Sequence, residues 1–80
     1  MTAIETITEL FTLKDDLVRD AAAATELSAD NEGILLALCR WATRRSGEDA
    51  AEVFKEAKEL ATAEKLNINV LREILETGKE

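Results

Sequence analysis

The stretch Ile34-Leu35-Leu36-Ala37-Leu38-Cys39-Arg40-Trp41-Ala42 is the most apolar run in the chain and contains its only tryptophan. At about 100° per residue, its apolar side chains cover more than half of a helical wheel. A helix that is apolar over so wide an arc normally lies at the centre of a domain. We therefore expect a helix at about residues 30–45, around which the rest of the chain packs. The run is too short to span a bilayer, which needs about 20 apolar residues.

The composition predicts one small all-α domain over residues 1–80. The chain has 80 residues, 46% of them hydrophobic, with no proline and three glycines. Alanine, leucine, glutamate and lysine, which are all good helix formers, dominate. The expected fold is a bundle of four helices, or five if the first helix is bent.

The first segment begins with a capping box at Thr2–Glu5 and continues as an amphipathic pattern to about Thr25 or Leu27. Lys14 interrupts the apolar stripe. We favour one continuous helix about 36 Å long, from which Lys14 extends to solvent. The alternative is a second capping box at residues 12–15 that divides the segment into two helices at a bend.

The later segments carry clear start and stop signals. Ser28 or Asp30 can cap the central helix, and Ser46-Gly47 ends it. A third helix is expected from Glu48 to about Lys65, and residues 66–69 read as a turn. A last helix is predicted from Val70 to Thr77, with Gly78 as its terminator.

Charge and residue types argue against several functions. The net charge of −7 disfavours nucleic acid and anionic membranes as partners. Without histidine, imidazole catalysis and histidine metal ligation are excluded, and no phosphate loop or nucleophile motif is present. We expect no enzyme activity, no metal and no cofactor. Cys39 lies on the apolar face, which fits a buried thiol in a reducing cytoplasm.

The remaining candidate residues suggest contact with protein. Leu36 stands in the polar arc of the central helix, where a neighbouring helix, a dimer partner or another protein could cover it. The basic patch of Arg40, Arg44 and Arg45 could pair with acids of this chain, or dock an acidic partner or a second copy. The predicted interface consists of Leu36, Arg40, Arg44, Glu48, Glu52, Glu56 and Glu59.

Two classes of function follow from these residues. The first is a small acidic protein-binding module with a basic partner, such as a bacterial or phage inhibitor, immunity protein, antitoxin or regulator. Negative charge speeds encounter with such partners. The alternative is a homodimer or larger homo-oligomer with a structural role, in which the long first helix forms the interface.

Two weaker patterns concern DNA. Residues 62–68 resemble the first half of a helix-turn-helix, whose recognition helix would offer mainly Asn69 and Arg72 to bases. However, residues 46–80 carry nine acids and five bases, so the local charge opposes DNA binding. DNA mimicry would need carboxylates spaced like phosphates, and two rows permit it: Glu48-Glu52-Glu56-Glu59 and Glu5-Glu9-Asp16-Asp20.

Overall fold

The computed structural model describes residues 1–79, and these residues form five α-helices and no strand. The helices are α1 (Ala3–Glu9), α2 (Asp15–Ala24), α3 (Asn31–Ser46), α4 (Ala50–Thr62) and α5 (Ile68–Gly78). A 3-10 turn at Leu10–Thr12 stands between α1 and α2. The prediction of a small all-α bundle is confirmed.

Helix α3 is the centre of the bundle, since it contacts each of the other four helices. Ile34 is fully buried, and Trp41 has only 4% of its surface exposed. The helix begins where Asp30 Oδ1 accepts a hydrogen bond from the Gly33 N–H at 2.7 Å. It ends at Gly47, whose φ of 77° is a left-handed conformation that glycine adopts at low cost. The predicted central helix and its glycine stop are thus confirmed.

The first segment is bent, so the prediction of one continuous helix is wrong. The capping box is present, because Thr2 Oγ1 accepts from the Glu5 N–H at 3.1 Å and Glu5 Oε1 accepts from the Thr2 N–H at 3.1 Å. The chain then leaves the helical path at Leu13, whose φ is 58°. The capping box suggested at residues 12–15 does not form, since the Thr12 hydroxyl donates to the Glu9 carbonyl and Lys14 provides no side-chain cap.

The bend allows both halves of the segment to pack inside the bundle. Helix α1 contacts α3 and α4, while α2 contacts α3 and α5. A straight helix of about 36 Å would extend past α3, which at 1.5 Å per residue is about 24 Å long. Folding the segment back buries both parts of its apolar stripe: Ala3, Ile7, Leu10, Val18, Ala21 and Ala22. Burial of this apolar surface favours the bend over continued helical hydrogen bonding at Leu13.

The last two helices differ from their predicted limits by a few residues. The Asp49 carboxylate caps α4 by accepting from the Ala51 N–H at 2.9 Å, and the chain turns at Glu64, whose φ is 62°. Asn67 accepts from the Val70 N–H at 3.2 Å and thereby starts α5 two residues earlier than expected.

Helix α5 packs closely on α2 through its last residue. A Cβ placed on Gly78 would lie 2.8 Å from Val18 Cγ1 and 3.0 Å from the Val18 carbonyl oxygen. Glycine is therefore required here by the close approach of two helices rather than by backbone conformation. In the middle of α5, Arg72 donates to the carbonyls of Leu27 and Ala29 at 2.9 and 3.0 Å and so fixes the loop before α3.

Candidate protein-binding surfaces

One face of α3 is left partly open by the surrounding helices. Gly33, Leu36 and Ala37 are half-buried on this face, and Arg40 and Arg44 are exposed. At 100° per residue, these five positions lie within an arc of about 100° on the helix. We call these five residues the α3 outer face. It contains three of the residues that were predicted to form an interface.

The arginines of α3 differ in their partners. Arg45 Nη1 lies 2.6 Å from Asp20 Oδ2 of α2, and its guanidinium lies 5.6 Å from the centre of the Trp41 ring. Within residues 1–79, neither Arg40 nor Arg44 forms an ion pair. Of the three arginines of α3, only Arg45 therefore pairs with an acid within residues 1–79. Arg40 and Arg44 present their charge to solvent.

Three carboxylates of α4 form a second candidate surface. Glu52, Glu56 and Glu59 are all exposed and stand on successive turns of the helix. Among the described residues, none of the three lies in an ion pair. We call them the α4 acid row. The exposed Lys55 lies beside them on α4 but forms no ion pair within residues 1–79. Three carboxylates and one ammonium group leave this surface negative, which suits a cationic partner.

Glu48, the fourth acid predicted for this row, has a different environment. Its Oε2 accepts a hydrogen bond from the Ala3 N–H at 2.6 Å and another from the Ser46 hydroxyl at 2.9 Å. The Ala3 N–H is one of the unpaired donors in the first turn of α1, and a carboxylate there also suits the helix dipole. Glu48 thus holds the start of α1 against the α3–α4 connection.

The α3 outer face and the α4 acid row lie on separate parts of the surface. Lys58 Nζ reaches across to Glu32 Oε1 of α3 at 3.2 Å, so Lys58 marks the side of α4 next to α3. At 100° per residue, the α4 acid row is turned about 100–160° away from Lys58. Apart from Glu48, the predicted interface residues therefore divide between these two separate surfaces.

The side chains suggested for base contact are engaged within the molecule. Asn69 Oδ1 accepts from Asn31 Nδ2 at 3.1 Å. Arg72 Nε and Nη2 both donate to Asn31 Oδ1, in addition to the two loop carbonyls already described. These contacts hold α5 to the start of α3. Presenting either side chain to a DNA groove would require breaking them.

The second row suggested for DNA mimicry is interrupted by the bend. Glu5 and Glu9 belong to α1, whereas Asp16 and Asp20 belong to α2 on the other side of Leu13. Glu9 is also paired with Lys14 at 2.6 Å. The predicted spacing of these four carboxylates assumed one continuous helix through residues 5–20. This chain does not form that helix.

Cys39 is fully buried, and this burial raises the pKa of its thiol to about 11. A thiol with so high a pKa carries almost no thiolate at neutral pH and is a poor nucleophile. In residues 1–79, no three side chains of the metal-binding types are grouped to hold an ion. Over the same residues, no helix has the length and hydropathy needed to cross a membrane.

Two features of the surface were not predicted from the sequence. Asp30, Gly33 and Ala37 continue the line of Arg40 and Arg44 along α3, and their spacing of three and four residues could have shown it. The signal was overlooked because this helix was expected to be covered on both sides. The second feature is the corner at the bend, where Leu13 is 62% exposed.

Comparisons with known proteins found no relative of this chain. No family model, no curated protein and no solved structure matches the chain. The fold and the two surfaces therefore define the molecule only as a small acidic all-α domain. Its function has to be argued from its own residues.

Proposed function

We propose that this chain is a protein-binding module whose α4 acid row contacts a basic protein. The observation that carries the proposal is the excess negative charge of Glu52, Glu56 and Glu59, which share one exposed side of α4 and have no ion pair within residues 1–79. The row is about 10 Å long, because its ends are seven residues apart at 1.5 Å per residue. Such a row suits a partner helix or strand that carries several lysines or arginines.

The rest of the molecule supports the same mode of action. Its net charge of −7 steers basic proteins toward it and raises the rate of encounter at low ionic strength. Exposed ion pairs are screened by salt, so binding through this row should weaken as ionic strength rises. A small inhibitor, immunity protein, antitoxin or regulatory protein in the cytoplasm would work in this way, with no catalysis and no cofactor.

The test is affinity capture with a charge-neutralised variant. The triple variant Glu52→Gln, Glu56→Gln, Glu59→Gln keeps the size and shape of the side chains and removes three charges. The matched control is Glu64→Gln, Glu73→Gln, Glu76→Gln, which neutralises three other exposed acids that have no ion pair in the described residues. Each chain is immobilised on a resin and incubated with lysate from the cells that produce it. The resin is washed with rising salt, and the bound proteins are identified by mass spectrometry.

The proposal expects one basic protein in stoichiometric amount, eluted by salt from the wild type and from the control variant. The α4 triple variant should lose most of this protein. If the same protein is retained equally by all three chains, or if a captured protein resists salt, the α4 acid row is not the binding surface and the proposal is wrong.

A further inference from the structure

The α3 outer face continues into a row whose charges change sign along the helix. Asp30, Gly33, Ala37, Arg40 and Arg44 follow one another at intervals of three, four, three and four residues. This spacing places Gly33, Ala37, Arg40 and Arg44 on one side of α3, with Asp30 at its N-cap. The acid stands at the N-terminal end of the row and the two arginines stand at its C-terminal end. Asp30, Arg40 and Arg44 are all exposed.

We propose that a second copy of this chain packs antiparallel against this row, with Ala37 on the two-fold axis. In an antiparallel pair centred at residue 37, residue 30 faces residue 44 of the other copy. Asp30 then meets Arg44 of the partner subunit, and Gly33 lies within one residue of facing Arg40 of the partner subunit. Because a two-fold interface repeats every contact, the pair of Asp30 with Arg44 of the partner subunit forms twice. A parallel arrangement would instead place arginines against arginines.

The side chains at the centre of the row permit close approach. Ala37 is small, so two helices can come within about 8 Å there, the lower end of ordinary interhelical distances. Gly33 adds less to this approach, because a Cβ at Gly33 would already lie 2.9 Å from Ala29 Cβ of the same chain. Leu36 lies beside Ala37 and is half-buried in one copy. The second helix would cover it, which gives a physical reason for a leucine in the otherwise polar arc of α3.

This interface replaces the dimer that the sequence suggested. A long first helix was expected to form the contact, but α1 is seven residues long and packs within the bundle. A single pair of helices of about 24 Å buries less than the roughly 1,200 Å² of a standard specific interface. The dimer should therefore form at micromolar rather than nanomolar concentration. The α4 acid row stays outside it, so this inference does not depend on the proposed function.

Sedimentation velocity over about 5 to 500 μM tests the dimer directly, because that range brackets a micromolar Kd. Wild type should shift from monomer to dimer across the series. Ala37→Glu places two carboxylates together at the axis and should abolish the shift. Ala23→Glu, at an exposed alanine of α2, makes the same chemical change elsewhere and should leave the dimer intact.

A charge exchange tests the antiparallel register. Arg44→Glu and Asp30→Arg each create two like-charge pairs in a homodimer, so each variant alone should be monomeric. Mixed in equal amounts, they restore both opposite-charge pairs and should form a heterodimer. Asp30→Arg also removes the cap of α3, so circular dichroism must first show that it is folded; the Ala37→Glu experiment is independent of this cap.

Three results would overturn the inference. The first is a wild-type chain that remains monomeric to the top of the series. The second is a dimer that survives Ala37→Glu, since the contact would then lie on another face. The third is the absence of a heterodimer when both charge-exchange variants are folded, which would exclude the antiparallel register.

Discussion

Trp41 connects the core of the molecule to its surface. The ring is buried with 4% of its area exposed, and its Nε1–H donates to Asp20 Oδ2 at 2.9 Å. The same oxygen accepts from Arg45 Nη1 at 2.6 Å, so one carboxylate links α2 to two side chains of α3. The exposed pair of Asp20 and Arg45 contributes little by itself. The ring beneath it contributes much more through its buried area.

We expect Trp41→Ala to lower the free energy of unfolding by about 3–5 kcal/mol, as large-to-small core changes do. For a domain of this size, that loss approaches the whole stability. Trp41→Phe retains most of the apolar area and should cost less. Urea denaturation followed by circular dichroism measures both variants. A cost below about 1 kcal/mol for Trp41→Ala would mean that the ring is not part of the core.

Cys39 gives the molecule a defined response to alkaline pH. Burial raises the pKa of its thiol from an ordinary value of 9.0 to about 11 in the folded state. The unfolded chain therefore releases this proton first, and the folded state loses stability as the pH rises from 9 toward 11. Cys39→Ala should show a smaller fall over that window. Equal slopes for the two chains, measured by denaturation at several pH values, would contradict the assigned burial.

At the scale of the elements, the main feature is the bend between α1 and α2. Leu13 adopts a left-handed φ of 58°, which costs an L-amino acid with a Cβ about 1–2 kcal/mol. Because its side chain is 62% exposed, Leu13 recovers little of this cost by burial. The bend is stable because α1 and α2 each bury an apolar stripe once they are separated.

A pair of substitutions isolates this backbone cost. Leu13→Gly should raise the free energy of unfolding by about 0.5–1 kcal/mol, since glycine enters the left-handed region freely. Gly47→Ala should lower it by about 1 kcal/mol, because φ is 77° there and no atom within 4 Å would meet the new methyl group. Thermal denaturation compares the two variants. A loss of stability in Leu13→Gly would show that the exposed side chain matters more than the backbone.

The packing of α5 on α2 makes a separate prediction. In Gly78→Ala, the added methyl group would lie 2.8 Å from Val18 Cγ1 and must push the helices apart. We expect a loss of about 1–3 kcal/mol, the usual cost of overpacking. Val18→Ala alone should also destabilise, because Val18 is buried. The double variant Gly78→Ala, Val18→Ala should therefore lose less than the sum of the two single losses, as measured by urea denaturation. A neutral Gly78→Ala would mean that α5 is not held closely at its C-terminal end.

The helix caps could be predicted from the sequence, whereas the bend at Leu13 could not, because the two depend on different interactions. The caps at Thr2 and Asp30 and the glycine at the end of α3 are local signals, and they specify the same structure in the folded chain. The break at Leu13 has only a weak local signal, the interruption of the apolar stripe at Lys14, because leucine itself favours helices and is rarely left-handed. It results from the packing of α1 and α2 against their neighbours. The sequence predicted the part of the α3 outer face that contains Leu36, Arg40 and Arg44, whereas the partial exposure of Gly33 and Ala37 depends on how the other helices pack.

At the scale of the whole molecule, the candidate surfaces use charges that the bundle leaves unpaired. Residues 1–79 contain three ion pairs: Lys14–Glu9, Arg45–Asp20 and Lys58–Glu32. The α4 acid row and the arginines of the α3 outer face take part in none of them. A dimer through α3 would carry one acid row on each copy and could bind two basic partners. Avidity of this kind increases apparent affinity when both partners belong to one assembly.

The most direct measurement of the central claim is the sedimentation of a fluorescently labelled chain in cell lysate. If the chain works through its α4 acid row, wild type at low salt should sediment well above the dimer of the 8.8 kDa chain. The triple variant Glu52→Gln, Glu56→Gln, Glu59→Gln should sediment only as free monomer and dimer. If wild type sediments no faster than this variant, the chain has no partner on that surface, and the account is contradicted.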